Sequence, residues 1–252
     1  MKKLSLLLLI LIGVSACSTK ESNLVVKTNI KGLKKGTVYL QKIEDTLLVN
    51  LDSVVINGNS EFQLETYIES PQMMYLSLDK VDNSEFNDRL DFFADKGEVI
   101  ITTSLEKFEE DAKIIGSRNQ EKLIEYRKIQ KRFNDRNLDL IKESFEAEKD
   151  GDEERLMEID KKYENLLKRR YLYTVNYAIN NKDLEIAPYL ALSEVFDANI
   201  KYLDTIYTSL DKKVQKSLYG KELERFLKER REEEKVQREL QEENTKAQED
   251  IS

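Results

Sequence analysis

The placement of glycine, with the change of hydrophobic period that accompanies it, constrains this 252-residue chain more than any other feature. Five of the eight glycines lie between Gly32 and Gly116, and only Gly151 and Gly220 follow. Glycine permits tight turns and weakens long helices, so the first half must be short segments joined by turns and the second half long continuous ones. From residue 24 to about 115 the apolar residues recur in short alternating runs. They predict strands over 24–30, 37–42, 47–56, 60–66, 73–78, 90–94 and 99–103. Asn57-Gly58, with Val54 and Ile56 before it and Phe62 and Leu64 after it, predicts a type I′ hairpin. So many short strands imply a small antiparallel sandwich or a partial barrel.

After Gly116 the period becomes helical. Ser117 followed by Gln120 is the spacing of a capping box. Leu123, Tyr126, Phe133, Leu138, Ile141 and Phe145 then fall mostly on one stripe, which stops near Lys149-Asp150-Gly151. A second amphipathic run from Asp152 carries Leu156, Ile159, Tyr163, Leu166, Leu167, Tyr171, Val175 and Ala178, and stops at Asn180-Asn181. Two such runs joined by a short turn predict an antiparallel helical hairpin. Pro188 suits the first turn of a short helix through Phe196, with further helices over 200–210 and 211–227. From Lys228 the only apolar residues are Val236, Leu240, Ala247 and Ile251. That tail predicts a solvated helix fraying into disorder, with Glu234 and Arg238 placed for an i to i+4 ion pair. A coiled-coil strand is the sharper alternative, but its a and d positions are not apolar over enough heptads. The fold class is therefore α+β. An N-terminal antiparallel β-sandwich-like domain spans 24–116, an α-helical hairpin and bundle spans 117–227, and a charged helical or disordered tail spans 228–252.

The first 16 residues belong to neither half. Lys2 and Lys3 precede an apolar run over 4–12, too short for the roughly 20 residues that span a bilayer, and small residues lead to a cysteine. Val14-Ser15-Ala16-Cys17 resembles the lipobox of a bacterial lipoprotein signal. The resemblance implies cleavage before Cys17, lipidation of its sulfur, and a polar tether over 17–23. Such a chain is held to the membrane through the lipid on Cys17. Ser18, where an aspartate would retain a lipoprotein at the inner membrane, implies the outer membrane. Lys20-Glu21 is a thin version of the acidic tracts that export lipoproteins to the surface, so the periplasmic face is expected.

Composition excludes several chemistries. Removing Lys2 and Lys3 leaves 39 basic residues against 49 acidic ones, a formal charge of −10. An acidic surface without basic, aromatic-interleaved clusters repels phosphates, so nucleic acid is not an expected partner. There is no histidine and Cys17 is the one cysteine. A Ser-His or Cys-His nucleophile pair, an ordinary zinc or copper site and an intramolecular dithiol are thus excluded, and we expect no catalytic residue, metal or cofactor. Asp79, Asp82, Glu85, Asp88 and Asp91 lack the spacing of a calcium loop and read as a solvated acidic segment. Tyr171, Tyr173 and Tyr177, with Tyr189, Tyr202 and Tyr207, could line a groove for sugar rings or peptide side chains. Of these, Tyr173 and Tyr177 are the candidate ligand contacts. The competing reading packs them between helices, since one helical turn separates them.

KGTVYLQK, DSVVINGNSEFQLETYIESPQMMYLSL, RLDFFADKGEVIITTS and AKIIGSRNQ together resemble the N-terminal domain of unknown function of envelope thiol-disulfide oxidoreductase lipoproteins. The likeness covers about 24–119, with a looser one at Ser217-Leu218-Tyr219-Gly220-Lys221. In that family a helical insert and a thioredoxin-like domain of the alkyl hydroperoxide reductase and thiol-specific antioxidant type follow. Here the charged tail stands where that domain and its Cys-x-x-Cys site would be, so no family catalytic residue carries over. The resemblance implies the architecture and the envelope setting. The leading expectation is a non-catalytic envelope lipoprotein that docks or scaffolds another envelope protein. The alternatives are a glycan- or peptide-binding outer-membrane lipoprotein and a hydrolase working with carboxylates alone.

Overall fold

A computed structural model describes residues 20–80 and 88–249, with the backbone alone for 242–249. The lipobox with Cys17 lies outside the described residues, as do Asp82 and Glu85. In chain order the elements are β1 (Leu24–Lys31), β2 (Lys35–Glu44), β3 (Leu47–Asn57), β4 (Glu61–Thr66), β5 (Gln72–Lys80), β6 (Asp88–Ala94), β7 (Gly97–Ser104) and β8 (Lys113–Ile115). Helices α1 (Arg118–Asp150), α2 (Glu153–Asn180), α3 (Ile186–Glu194), α4 (Ile200–Ser209), α5 (Lys212–Gln215) and α6 (Leu218–Glu249) follow.

The strands form two four-stranded sheets, β4-β1-β7-β8 and β3-β2-β5-β6. Alternation decides what each strand buries. β1 sends Leu24, Val26 and Ile30 inward and β2 sends Val38 and Leu40, and these meet Leu64, Leu76, Phe92, Val99 and Ile101 in one core between the sheets. Each such side chain contributes roughly 1.5–3 kcal/mol of burial. β5 and β6 are buried on both faces. Met74 and Phe92 point into the sandwich, whereas Met73 and Phe93 point outward into a helical layer with Leu123, Tyr126, Ile186 and Leu190. The molecule is thus α+β with a third, helical layer on one end of the second sheet. A further core, including Val175, Ala187, Leu203, Ile206, Leu223 and Leu227, holds α2, α3, α4 and α6 together.

Two expectations about strand pairing are corrected. No hairpin forms at Asn57-Gly58: β3 pairs with β2, with Lys35 opposite Asn57, while β4 pairs with β1, with Asn29 opposite Glu61. The chain changes sheets there. A type I′ turn needs positive φ at both central residues, and only Gly58 has it, at 96°. Gly58 instead donates its N–H to the Lys34 carbonyl at 2.8 Å. Alternation is satisfied either way, because Ile56 and Leu64 reach the same core from opposite sheets. The hairpin that does form joins β2 to β3 through Asp45-Thr46, with Asp45 at φ 54°. The second correction is that β1 and β7 run parallel, so the first sheet is mixed and not antiparallel throughout.

The helix boundaries follow their caps. Ser117 accepts the Gln120 N–H at 3.0 Å, Gly151 ends α1 at φ 68°, and Asp152 accepts the Arg155 N–H at 3.0 Å to open α2. Asn181 closes α2 and Pro188 sits in the first turn of α3. Helix α6 continues through Lys228 without a break, as far as Glu249. Its first turns are buried through Leu223 and Leu227, and beyond them Lys235 pairs with Glu239. Arg238 donates to the Glu234 carbonyl oxygen at 3.1 Å, not to its carboxylate.

Candidate functional site

The polar groups converge where the helical layer grips the sandwich. The first grip is Ser117-Arg118-Asn119-Gln120. Gln120 does not complete the capping box with its side chain. Its Oε1 instead accepts the N–H of Phe93 in β6 at 2.7 Å, satisfying a buried strand donor. Asn119 is fully buried and uses both ends of its amide. Nδ2 donates to Asp95 Oδ1 at 2.7 Å and to Glu185 Oε2 at 3.1 Å, and Oδ1 accepts the Ile186 N–H at 2.8 Å. Asp95 also accepts the Arg118 N–H at 2.9 Å. The end of β6, the start of α1 and the start of α3 are thereby one hydrogen-bonded unit. The second grip is Ser217-Leu218-Tyr219-Gly220. Leu218 donates its N–H to Ser70 Oγ at 3.0 Å, and the Tyr219 hydroxyl accepts the Met73 N–H at 2.9 Å.

A cavity of about 400 Å³ opens between the grips, lined by Asp95, Arg118, Asp183, Glu185, Lys213 and Lys216 among others. Its charges are mixed. Arg118 pairs with Asp183 at 3.3 Å, and the buried Glu185 carboxylate takes its bond from Asn119. Asp95 and Glu185 reach one amide nitrogen, so their oxygens lie no farther apart than the sum of those two bonds.

Tyr173 and Tyr177 are partly buried and pack beside Tyr126. Tyr173 stacks on Tyr126 with centroids 5.8 Å apart, Tyr177 lies 5.4 Å from Tyr126, and all three sit between α1 and α2. The Tyr177 hydroxyl donates to the Lys122 carbonyl at 2.7 Å, and that of Tyr126 shares a 2.8 Å bond with Thr174. Burial pushes the hydroxyls of Tyr126 and Tyr177 well above the ordinary phenol range, so both stay protonated. Tyr171 donates to Asp197 at 2.7 Å; Tyr189 packs edge-on to Phe93; Tyr202 and Tyr207 pack against the core of α2, α3, α4 and α6. Beside this layer Arg127 grips Asp91, and Gln130 donates to Glu194 at 2.7 Å. Burial raises the Glu194 carboxyl above its ordinary value, with Arg170 and Arg127 pulling the other way. Asp88 pairs with Lys80, and among the described residues no three acidic, histidine or cysteine side chains gather in a way that could hold a metal ion.

The most exposed apolar surface of the sandwich is the β2–β3 arm. Leu47 is 70 % and Val55 77 % exposed, and Ile43 and Leu48 stand beside Leu47 in the open. β3 is the edge strand of its sheet. Asp52 Oδ2 accepts the Glu65 N–H of β4 at 2.8 Å, closing the sandwich locally at that point. From Leu47 to Leu51 the edge runs on past that closure. Sequence reading located the caps but missed Asn119 and Tyr219, because a polar side chain in a first helical turn carries no periodic signal of burial.

Among the described residues no helix is long and apolar enough to cross a membrane. No curated protein matches the chain. Residues 24–123 match the family model described as Domain of unknown function (DUF4369), a span that takes in all eight strands and runs past residue 116 through the Ser117–Gln120 grip to Leu123. The match is thus confined to the β module and the first helical turns that grip it.

Proposed function

We propose that this chain is a lipid-anchored lipoprotein of the cell envelope that docks another envelope protein and does no chemistry of its own. The observation that carries the reading is the β2–β3 arm, an edge strand with Leu47 and Val55 more than two-thirds exposed. Exposed edges with apolar side chains are surfaces that extended segments join by strand addition. The lipobox ending in Cys17 supports the anchor, and the single cysteine argues against dithiol chemistry. A formal charge of −10 after signal removal favours a partner with a basic patch and an association that weakens as salt rises.

A photo-crosslinking residue at position 47 in intact cells tests this. Docking by the arm traps one specific protein there, and the same probe at exposed Glu158, on the far end of α2, does not trap it. Fatty-acid labelling of wild type and Cys17→Ala tests the anchor. Equal label on both proteins sinks the lipoprotein assignment, and trapping of the same protein from both positions sinks the arm.

The approach of Asp95 and Glu185 to one amide favours a second reading, a hydrolase that works with a carboxylate pair in the 400 Å³ cavity. Hydrolysis of a glycan panel that Asp95→Asn abolishes, in a variant that remains folded, would carry it.

A further inference from the structure

The outer half of the α1–α2 hairpin has its own small core, Leu140, Ala147 and Ile159 with Leu156 and Leu166 against them. That seam does not use all the apolar residues available. Leu138, Ile141 and Phe145 recur at i, i+3 and i+7 on another stripe of α1, with Leu138 63 % and Phe145 67 % exposed. At 100° per residue this stripe lies on the same side of the seam as the exposed Met157 of α2. The opposite side carries Arg132, Asp139, Glu146, Glu158, Lys162 and Arg169. One flank of the hairpin thus carries the apolar stripe of α1 beside Met157, bordered by Glu153, Asp160 and Glu164 of α2, and the other is charged throughout.

The charges are also polarised along the hairpin. Residues 139–160, which form the tip, hold ten acids and three bases, a net −7. The adjoining segments, 128–138 and 161–170, hold nine bases and two acids, a net +7. Within one chain this is unfavourable, because an antiparallel hairpin sets like charge beside like. In α1 it also places the acids at the C-terminal end, against the helix dipole. Ion pairs such as Arg136–Glu143 and Arg155–Glu146 relieve only part of it. The sign changes about 15 Å from the turn at Gly151, level with the apolar stripe.

We propose that the occupant of this face is a second copy of the chain, packed about a two-fold axis with the two hairpins antiparallel. That arrangement buries both stripes together and lays each acidic tip on the basic segment of the other copy. A parallel arrangement would set tip against tip. Glu148 and Glu153 flank the stripe at its tip end and Lys131 and Lys168 at its other end, so these four pair across the axis. Two helices overlapping along about 30 Å cover roughly 600 Å² per copy, near the lower limit for a specific interface. The interface is formed by α1 and α2 alone and is independent of the docking arm.

Sedimentation velocity of the full chain at low and high salt tests the pairing. The expected species is a dimer that dissociates as salt rises, and Phe145→Glu weakens it at least about tenfold with the helical circular dichroism unchanged. Lys131→Glu with Lys168→Glu weakens it similarly, and adding Glu148→Lys with Glu153→Lys to the same chain restores it. A chain that is monomeric at every salt and concentration overturns the proposal, as does a dimer indifferent to Phe145→Glu. Failure of the fourfold variant to recover overturns the antiparallel arrangement.

Discussion

At the scale of the residue, the molecule spends its buried polar groups on joining layers. Asn119 satisfies a strand-end carboxylate, a helix N–H and a buried glutamate with one amide. Glu194 is the less comfortable case. Its carboxyl is raised by burial, so the folded state holds a proton more tightly than the unfolded one does. Stability from this group therefore rises as pH falls from the folded pKa to the ordinary carboxylate value. Above the folded pKa the penalty is complete, and below the ordinary value it is gone. Glu194→Gln keeps an acceptor for Gln130 and removes the penalty, so its thermal midpoint should exceed wild type at neutral pH. The difference should close in acid. A midpoint difference independent of pH would show that Glu194 is not the group responsible. Tyr173 and Tyr177 were legible as aromatic residues one turn apart, and the packing alternative is where their rings sit. Asn119 was not legible, because nothing in its neighbours says that Asp95 and Glu185 close over it.

At the scale of the element, boundaries were readable and partners were not. Alternation located β1 to β7 because each carries enough residues to show a period of two. β8, only three residues long, shows none. Caps placed α1 and α2, since Gly151, Asp152 and Asn181 act through their own backbone and side chains. Pairing is different in kind. Alternation states which face of a strand is wet but not which strand lies beside it, so Asn57-Gly58 fits a hairpin and a sheet-changing corner equally. The start of α6 shows a constraint that only packing reveals. A Cβ on Gly220 would lie 2.0 Å from the Val214 carbonyl oxygen and 2.6 Å from that of Gln215. Both are backbone atoms that cannot swing aside. Gly220→Ala should therefore cost about 3 kcal/mol in denaturant unfolding and lift α6 from α5. A loss below about 0.5 kcal/mol would mean that α5 yields freely.

At the scale of the whole molecule, the sandwich and the helices are held by two short segments, Ser117–Gln120 and Ser217–Gly220, which are also two of the stretches that carried the family resemblance. Asn119→Ala strips three bonds from the first and leaves Glu185 and the Ile186 N–H without a protein partner. We expect a loss of about 2–3 kcal/mol, with hydrogen exchange accelerating first in α3 and at the end of β6 and not in β1 or β2. Uniform acceleration would show that the layers do not open separately. The parallel pairing of β1 with β7 bears on the order in which the protein can form. β1 precedes both of its neighbours, residues 61–66 and 97–104, so its sheet cannot be completed until the last long strand has been synthesised. The hairpin of β2 and β3 needs only a two-residue turn and can close early. A chain whose first sheet is completed only by its last long strand stays incompletely folded through most of synthesis, the condition in which a polypeptide can be threaded across a membrane before it folds.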